Sequence, residues 1–401
     1  MAHSLRILAD HNIPVVREAF ARLGTVRTCP GRSITRHALQ DVDVLLVRSV
    51  TPVDAAMLRG TPVQFVGSAT AGTDHVNQAD MAALDVAFAH APGANAPSVV
   101  DYVIAALLQL AVRTGSSLQE KTLGIVGCGH IGGRLATRAS ALGITVVQND
   151  PPLADAAEQV GQDHPYIPLS RVLETADILT LHTPLTHDGP YPTHHIIDAE
   201  ALDRLGSDAW LLNTSRGAVV DNAALRDRLV GGRRGPTVLD VWEHEPTPDP
   251  DVLHHVDIAT PHIAGYALDG KIRGTRMLYD ALCTHLGVTA DWPETASPSP
   301  HTPDALRCTL PDPRLPMTDW LHALAQQAYA IADDDARLRP LLHHLNHPAE
   351  EQGAFFCHFR KTYPRRREVK MYHVPSASLP PARRTAVTAG LQMALASPSG
   401  T

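Results

Sequence analysis

The chain has 401 residues, 44% hydrophobic but only 4% aromatic, with 32 prolines and a formal net charge of -8. That length exceeds what one hydrophobic core holds, so two or three domains are expected, and the acidic balance excludes the broad attraction to nucleic acid or anionic membranes that a basic surface provides. The five cysteines (Cys29, Cys128, Cys283, Cys308, Cys357) are scattered and never form a CxxC pair, which argues against a disulfide framework or a zinc ribbon and fits a reducing cytoplasm.

The chain starts MAHSLRILADHNIP, with no long apolar run after a basic start, so neither export nor membrane insertion is expected. Short β-rich runs follow, LRILAD, VDVLLVRSV, VQFVGSA and VAFAH, with helical stretches between them. That alternation reads as a βαβ series on a parallel sheet over residues 1–93. A Pro-Gly break in APGANAPS precedes an apolar periodic stretch, Val99 to Val112, read as a connecting helix. A second series over 94–263 supplies the strands TLGIVG, ITVVQND, DILTLHT, AWLLNTS, PTVLDVW and DIATPH, enough for a six-stranded doubly wound sheet. DWPETASPSPHTPD is then a Pro/Ser-rich linker into a smaller third region of mixed helix and strand, 291–401, ending in an unstructured ASPSGT tail. The fold class is therefore α/β, with two Rossmann-like doubly wound domains and a small α+β C-terminal domain.

Gly127-Cys128-Gly129-His130-Ile131-Gly132 follows the apolar run TLGIV and opens a helical stretch. In a dinucleotide site the first glycine permits the tight turn, the second lets backbone approach the pyrophosphate, and the third lets helix pack on strand, with phosphate charge at the helix N-terminus. Asp150 ends the next strand eighteen residues past Gly132, near where a carboxylate accepts the ribose hydroxyls. A carboxylate there repels a 2′-phosphate, so NAD is expected rather than NADP. The plainer alternative is a strand-to-helix turn with Asp150 as a helix cap.

Three later segments, NTSRGAVVD, VLDVWEHEP and IATPHIAGY, have the form of strand ends carrying polar groups, where active groups gather in open α/β sheets. Oxidising a 2-hydroxy acid needs a base for the hydroxyl proton, a cation for the carboxylate and a nicotinamide to accept hydride. His262 suits the first role, Glu245 can fix its tautomer, and Arg216 can hold a carboxylate through two parallel hydrogen bonds. Spacing alone does not bring these residues together, and lone His, Glu and Arg residues in loops are more often solvated surface groups.

GIVGCGHIGG, LHTPLTHDGPY, NTSRGAVVDN, LDVWEHEP and TPHIAGY, together with LLVRSVT, FVGSATAGTDHV, APGAN and FRKTYPRRRE, resemble the D-2-hydroxyacid dehydrogenase family over nearly the whole chain. The resemblance implies that Arg216, Glu245 and His262 are catalytic and that Ser49, Thr70 and Tyr266 contact substrate. It implies that Gly127, Gly129, His130, Ile131, Gly132, Asp150, Thr183, Thr214, Ser215, Arg216, Asp240 and Gly265 bind the cofactor. It also implies a substrate-binding domain over 1–93 completed by about 264–290, an NAD-binding domain over 94–263, an active site in the cleft between them, and a homodimer formed through 291–401. Within the family the strings point to oxidation of 4-phospho-D-erythronate in the route to pyridoxal phosphate. Ala94 stands where the family loop often has cysteine. The alternatives are a 3-phosphoglycerate or glyoxylate type of dehydrogenase, and a non-catalytic NAD-sensing corepressor on the same fold.

Backbone N–H groups near Ala71 and Gly72 form a candidate nest for the substrate carboxylate. Arg48 is the candidate cation for a substrate phosphate, with Lys271 and Arg273 as rivals. The pairs His194-His195, His254-His255 and His343-His344 are not expected to bind metal, because adjacent side chains on a strand or helix point apart. His75 and His182 are expected to orient loops, and Arg365, Arg366 and Arg367 to form a solvated face or a subunit contact.

Overall fold

In the computed structural model, residues 4–232, 235–293, 306–344, 348–375 and 379–396 are described. They divide into two units, Met1–Ala96 with Tyr266–Thr302, and Pro97–Gly265 with Pro303–Thr401.

At the centre of both sheets lie short apolar runs that bury on two faces. In the first unit, β1 (Leu5–Asp10), β2 (Gly24–Cys29), β3 (Val44–Val47), β4 (Phe65–Ser68) and β5 (Ala87–His90) pair in parallel in the order β2-β1-β3-β4-β5. Every residue of β3 and β4 is buried, as a parallel sheet covered by helices requires. β2, GTVRTC, was not foreseen: it is an edge strand whose residues alternate between half-buried and exposed, so it carries no apolar run to read. Helix Leu268–Leu286 returns to this unit because Ile272, Leu278, Tyr279 and Leu282 pack against Ile7, Val44, Leu46 and Phe65. Gly287, left-handed at φ 67°, ends it.

The second unit opens on helix Ala96–Thr114, which is long and apolar enough to cross a membrane but has 78% of its apolar window buried inside the protein. Its strands are β6 (Thr122–Val126), β7 (Thr145–Asn149), β8 (Ile178–Leu181), β9 (Trp210–Asn213), β10 (Thr237–Leu239) and β11 (Ile258–Ala259). All six expected strands are present, parallel, in the order β11-β10-β9-β8-β6-β7. A parallel bridge from Gln148 to Tyr166 continues the sheet beyond β7. The chain thus winds outward from β6 in both directions, and the strand order reverses between β6 and β8, the position at which doubly wound sheets bind ligands outside the strands' carboxyl ends.

A small α+β C-terminal domain is present as well. It comprises helices Met317–Ala325, Ile331–Leu338, Ala349–Lys361 and Pro381–Thr385, a π-helical turn Ala386–Leu391, and a parallel pair β12 (His373–Pro375) and β13 (Ala394–Ala396). Leu338, Leu341 and Phe356 enter the same apolar cluster as Val126, Leu181, Leu211 and Leu239. Arg138, 2% exposed, ties this region down: Nε donates to the Gly390 carbonyl (2.7 Å), Nη2 to the Leu391 carbonyl (3.0 Å) and Nη1 to Asp101 Oδ1 (2.7 Å). Asp101 Oδ2 in turn accepts from the Val369 amide at 2.9 Å.

Candidate active site

β6 delivers the glycine turn to the reversal point. Gly127 is left-handed at φ 86°, and a Cβ on it would stand 2.8 Å from the His182 carbonyl carbon, at the end of β8. A Cβ on Gly132, the first residue of helix Gly132–Ala141, would stand 2.0 Å from the Gly127 carbonyl oxygen. Gly129 differs from both, since no described atom lies within 4 Å of where its Cβ would be. One glycine therefore makes the turn, one closes helix on strand, and one leaves an open approach to backbone. Asp150 both caps helix Pro151–Gln159, accepting from the Leu153 amide (3.1 Å), and holds the turn by accepting from the Cys128 amide (2.7 Å). Its two expected roles, cap and cofactor carboxylate, do not exclude each other, because each oxygen keeps a lone pair.

Two groups at the end of β8 face the same turn. Thr183 Oγ1 is buried with no hydrogen-bond partner among the described residues, an orphan that a bound polar ligand would satisfy. His182 bridges Thr180 Oγ1 (3.0 Å) and Thr214 Oγ1 (3.3 Å), and burial pushes its imidazole down to about 3. It is a neutral spacer that sets Thr214. Burial, reinforced by the Asp150 charge, pushes the Cys128 thiol up to about 12, so it is no thiolate nucleophile.

The three polar segments leave the neighbouring strands β9, β10 and β11. After β9, Asn213 Oδ1 accepts from the Ser215 amide (3.0 Å) and hydroxyl (2.8 Å), while its Nδ2 donates to the Arg216 carbonyl (2.9 Å). That ring of bonds turns the chain so that Arg216 leaves the strand end. Only glycine can follow, because a Cβ on Gly217 would stand 1.9 Å from the Trp242 carbonyl carbon. The NTSRG and DVWEHEP segments thus touch backbone to backbone. Trp242 joins the third segment, with its indole N–H donating to the Thr260 carbonyl at 3.0 Å.

Asp240, 1% exposed, shapes that third segment from within. Oδ1 accepts from Thr260 Oγ1 (2.6 Å) and the Ile263 amide (2.7 Å), Oδ2 accepts from the Ala264 amide (2.9 Å), and its carbonyl accepts from the His262 amide (2.7 Å). The loop so clamped holds His262 at φ 57°, a left-handed conformation unusual for a residue other than glycine. His262 Nδ1 meets Glu245 Oε1 at 2.7 Å, and Glu245 Oε2 is buried without a hydrogen-bond partner among the described residues. Burial alone would raise the Glu245 carboxyl, but the charges of His262, Arg360 and Arg216 outweigh it and hold the group below its ordinary value. The sequence pattern marks Arg216, Glu245 and His262 but gives no sign that Asp240 organises the loop, or that Arg360, from helix Ala349–Lys361, acts on Glu245.

In the first unit, Ser49 is exposed beyond the end of β3. Thr70 Oγ1 donates to the Gly72 carbonyl (2.9 Å) and lies 2.7 Å from Ser68 Oγ, which also meets His75 Nε2 at 2.9 Å. The 68–75 loop is thereby fixed, with His90 Nδ1 reaching the Ala71 carbonyl at 3.0 Å. Of the candidate phosphate cations, Lys271 places its ammonium 4.3 Å from the centre of the Tyr266 ring and Arg273 donates to the Ala94 carbonyl.

One expectation fails on geometry. The His194 and His195 rings do not point apart but stack at 4.0 Å, because His195 is left-handed at φ 52° and the pair lies in a loop instead of a strand or helix. His195 Nε2 meets Glu243 Oε1 at 2.5 Å. The basic run is a solvated face only at Arg365, which is exposed: Arg366 and Arg367 are each only 7% exposed, and Arg366 donates to the Ala264 carbonyl.

Against known proteins, the chain is 57% identical to erythronate-4-phosphate dehydrogenase of Salinibacter ruber over 395 residues, 98% of this chain and 99% of that protein. The chain belongs to the erythronate-4-phosphate dehydrogenase family. Erythronate-4-phosphate dehydrogenase of Pseudomonas aeruginosa is 44% identical over 97% of this chain and 100% of its own length. Residues 107–264 match the NAD binding domain of D-isomer specific 2-hydroxyacid dehydrogenases, and NAD is the cofactor. Among solved structures, the TT0316 protein of Thermus thermophilus superposes with a TM-score of 0.61 at 26% identity, covering 72% of this chain and all of that one. The NAD-bound 3-phosphoglycerate dehydrogenase of Entamoeba histolytica gives 0.60 at 20% identity over 71% of this chain and 96% of that one, a likeness of fold.

Proposed function

We propose that this chain oxidises 4-phospho-D-erythronate to (R)-3-hydroxy-2-oxo-4-phosphooxybutanoate with NAD, in the formation of pyridoxal 5′-phosphate. The observation that carries the reading is the Glu245–His262 pair, 2.7 Å apart on segments leaving adjacent strands. A carboxylate at that distance fixes the imidazole tautomer so that Nε2 is left to accept the hydroxyl proton, and it stabilises the imidazolium that results. Arg216 holds the substrate carboxylate as a planar fork. Ser49, Thr70 and Tyr266 contact the substrate, and Arg48 pairs with its phosphate.

Gly127, Gly129, His130, Ile131 and Gly132 hold the cofactor pyrophosphate, and Asp150 its ribose. Thr183, Thr214, Ser215, Asp240 and Gly265 line the remainder of that site, and the orphaned Thr183 hydroxyl supports the assignment. Bound NAD supplies a hydride acceptor. The names of the relatives support the phosphorylated four-carbon substrate. The homodimer through 291–401 and the cytoplasmic setting complete the reading, the first supported by family resemblance and the second by scattered cysteines that form no disulfide among the described residues.

Purified protein with NAD, a panel of 2-hydroxy acids and added 2-oxo acids as acceptors tests it through NADH formation. Turnover selective for 4-phosphoerythronate is expected. Equal turnover of 3-phosphoglycerate, or NAD binding with no turnover of any acid, refutes it. Arg48→Ala should weaken the phosphorylated acid far more than an unphosphorylated analogue, and equal loss removes Arg48 from the phosphate role.

A further inference from the structure

We propose that His194, His195 and Glu243, with His187 beside them, form a binding site for a divalent transition ion of the zinc class. One ligand atom from each of His194, His195 and Glu243 lies within 4.8 Å of the others. The His187 ring stands 4.6 Å from that of His194, which stands 4.0 Å from that of His195, so three imidazoles and one carboxylate gather in one place. Protonated rings at such spacing repel one another, whereas neutral rings each offer a lone pair. An imidazole and carboxylate set suits zinc, nickel or copper better than calcium or magnesium.

The surroundings have the form of a supported ligand set. Glu243 presents Oε1 to His195 Nε2 at 2.5 Å while its Oε2 accepts from the Asn222 amide at 3.0 Å, which fixes the carboxylate plane. On the other side of the ring, His195 Nδ1 lies 3.9 Å from Asp221 Oδ2. A carboxylate behind a histidine whose other nitrogen faces the ligands is the usual support for a metal-binding imidazole. The His195 amide donates to the Ala218 carbonyl at 2.8 Å, so the left-handed turn that stacks the two rings is anchored to the backbone. On binding, the ion separates His195 Nε2 from Glu243 Oε1 and takes the place of the hydrogen between them, and that proton moves to Nδ1, toward Asp221, so that the ring stays neutral. The ion then joins the segment after β8 to the segment that carries Glu245.

Full-length protein without a histidine tag, titrated with Zn2+ against a chromogenic chelator and separately with Co2+ followed by its visible absorption, tests the site. One equivalent should bind, with the Co2+ band of a nitrogen and oxygen set and a Zn2+-dependent rise in thermal midpoint. His194→Ala, at an exposed residue, and Glu243→Gln should each weaken binding at least ~10-fold and abolish that rise. His195→Asn should do the same while tolerating the left-handed backbone, and His254→Ala should bind as the wild type does. No stoichiometric binding by the wild type, or unchanged binding in well-folded His194→Ala and Glu243→Gln proteins, overturns the proposal.

Discussion

Glu245→Gln removes one charge while keeping the shape of the side chain, and so isolates what the carboxylate does for His262. The bond between them is 2.7 Å long, and among the described residues Glu245 is the carboxylate paired with His262 Nδ1, so the substitution takes away the charge that faces that nitrogen. A hydrogen bond to a charged group contributes about 1.5–3 kcal/mol. On the proposed reading it strengthens as the imidazole takes the substrate proton, so most of its value falls on the barrier and not on ground-state binding. At about 1.4 kcal/mol per factor of ten, hydride transfer slows by about tenfold to about 150-fold. KM for the acid stays within a small factor, because the proposed reading gives the substrate carboxylate to Arg216. Single-turnover formation of enzyme-bound NADH is the right assay, since slow product release would mask the step in steady state. A transfer rate within twofold of wild type, in a protein that binds NAD normally, refutes the role given to Glu245. The same variant has a stability signature. The folded carboxyl lies below its ordinary 4.5, so its contribution is complete above that value and is lost as pH falls through the lower folded-state value. Thermal midpoints of wild type and variant should keep a constant gap from neutrality down to about that pH and converge below it.

The glycine turn separates fold from binding: Gly132→Ala, whose Cβ would meet the Gly127 carbonyl at 2.0 Å, should lower the thermal midpoint, whereas Gly129→Ala should leave it unchanged and weaken NAD binding by calorimetry. His182, pushed down to about 3 by burial, stays neutral in the fold, so stability is complete above its ordinary 6.5 and is lost as pH falls from there toward 3. His182→Gln should flatten acid unfolding in that window, and identical acid profiles would remove the assignment. Arg138→Met leaves the Asp101 carboxylate buried without its cation and should cost about 3–5 kcal/mol in denaturant unfolding. Adding Asp101→Leu should recover part of that loss, and strict additivity would show that the two residues do not act as a pair.

The six strands of the second unit were legible because each is a short apolar run ended by polar or glycine residues, a pattern that the strands buried on both faces cannot avoid and that the half-buried edge strand β7 shares. β2 was not, since an edge strand buries little and GTVRTC shows no more than a weak alternation. Arg216, Glu245 and His262 were legible as motifs, but their meeting depends on Gly217 touching Trp242 and on the Trp242 indole reaching Thr260, contacts between distant segments that no local pattern encodes. Asp240 was readable as a cofactor position by resemblance but not as the organiser of the loop, because its three acceptor bonds to Thr260, Ile263 and Ala264 exist only after the loop has folded around it. His194 and His195 misled for a related reason: the rule that neighbouring side chains diverge assumes extended or helical backbone, and a left-handed residue reverses it.

The left-handed backbone at His262 sets durability against chemistry at one residue. A side chain with a Cβ in that conformation carries about 1–3 kcal/mol of unfavourable energy, and the Asp240 clamp holds it there. Glycine at 262 would relieve it and leave the surrounding loop intact but would strip the half-buried Glu245 carboxylate of its hydrogen-bond partner, so on the proposed reading His262→Gly loses the proton acceptor and with it what the relief of strain returns. The same vacated loop would keep its outline, ready to admit imidazole from solution.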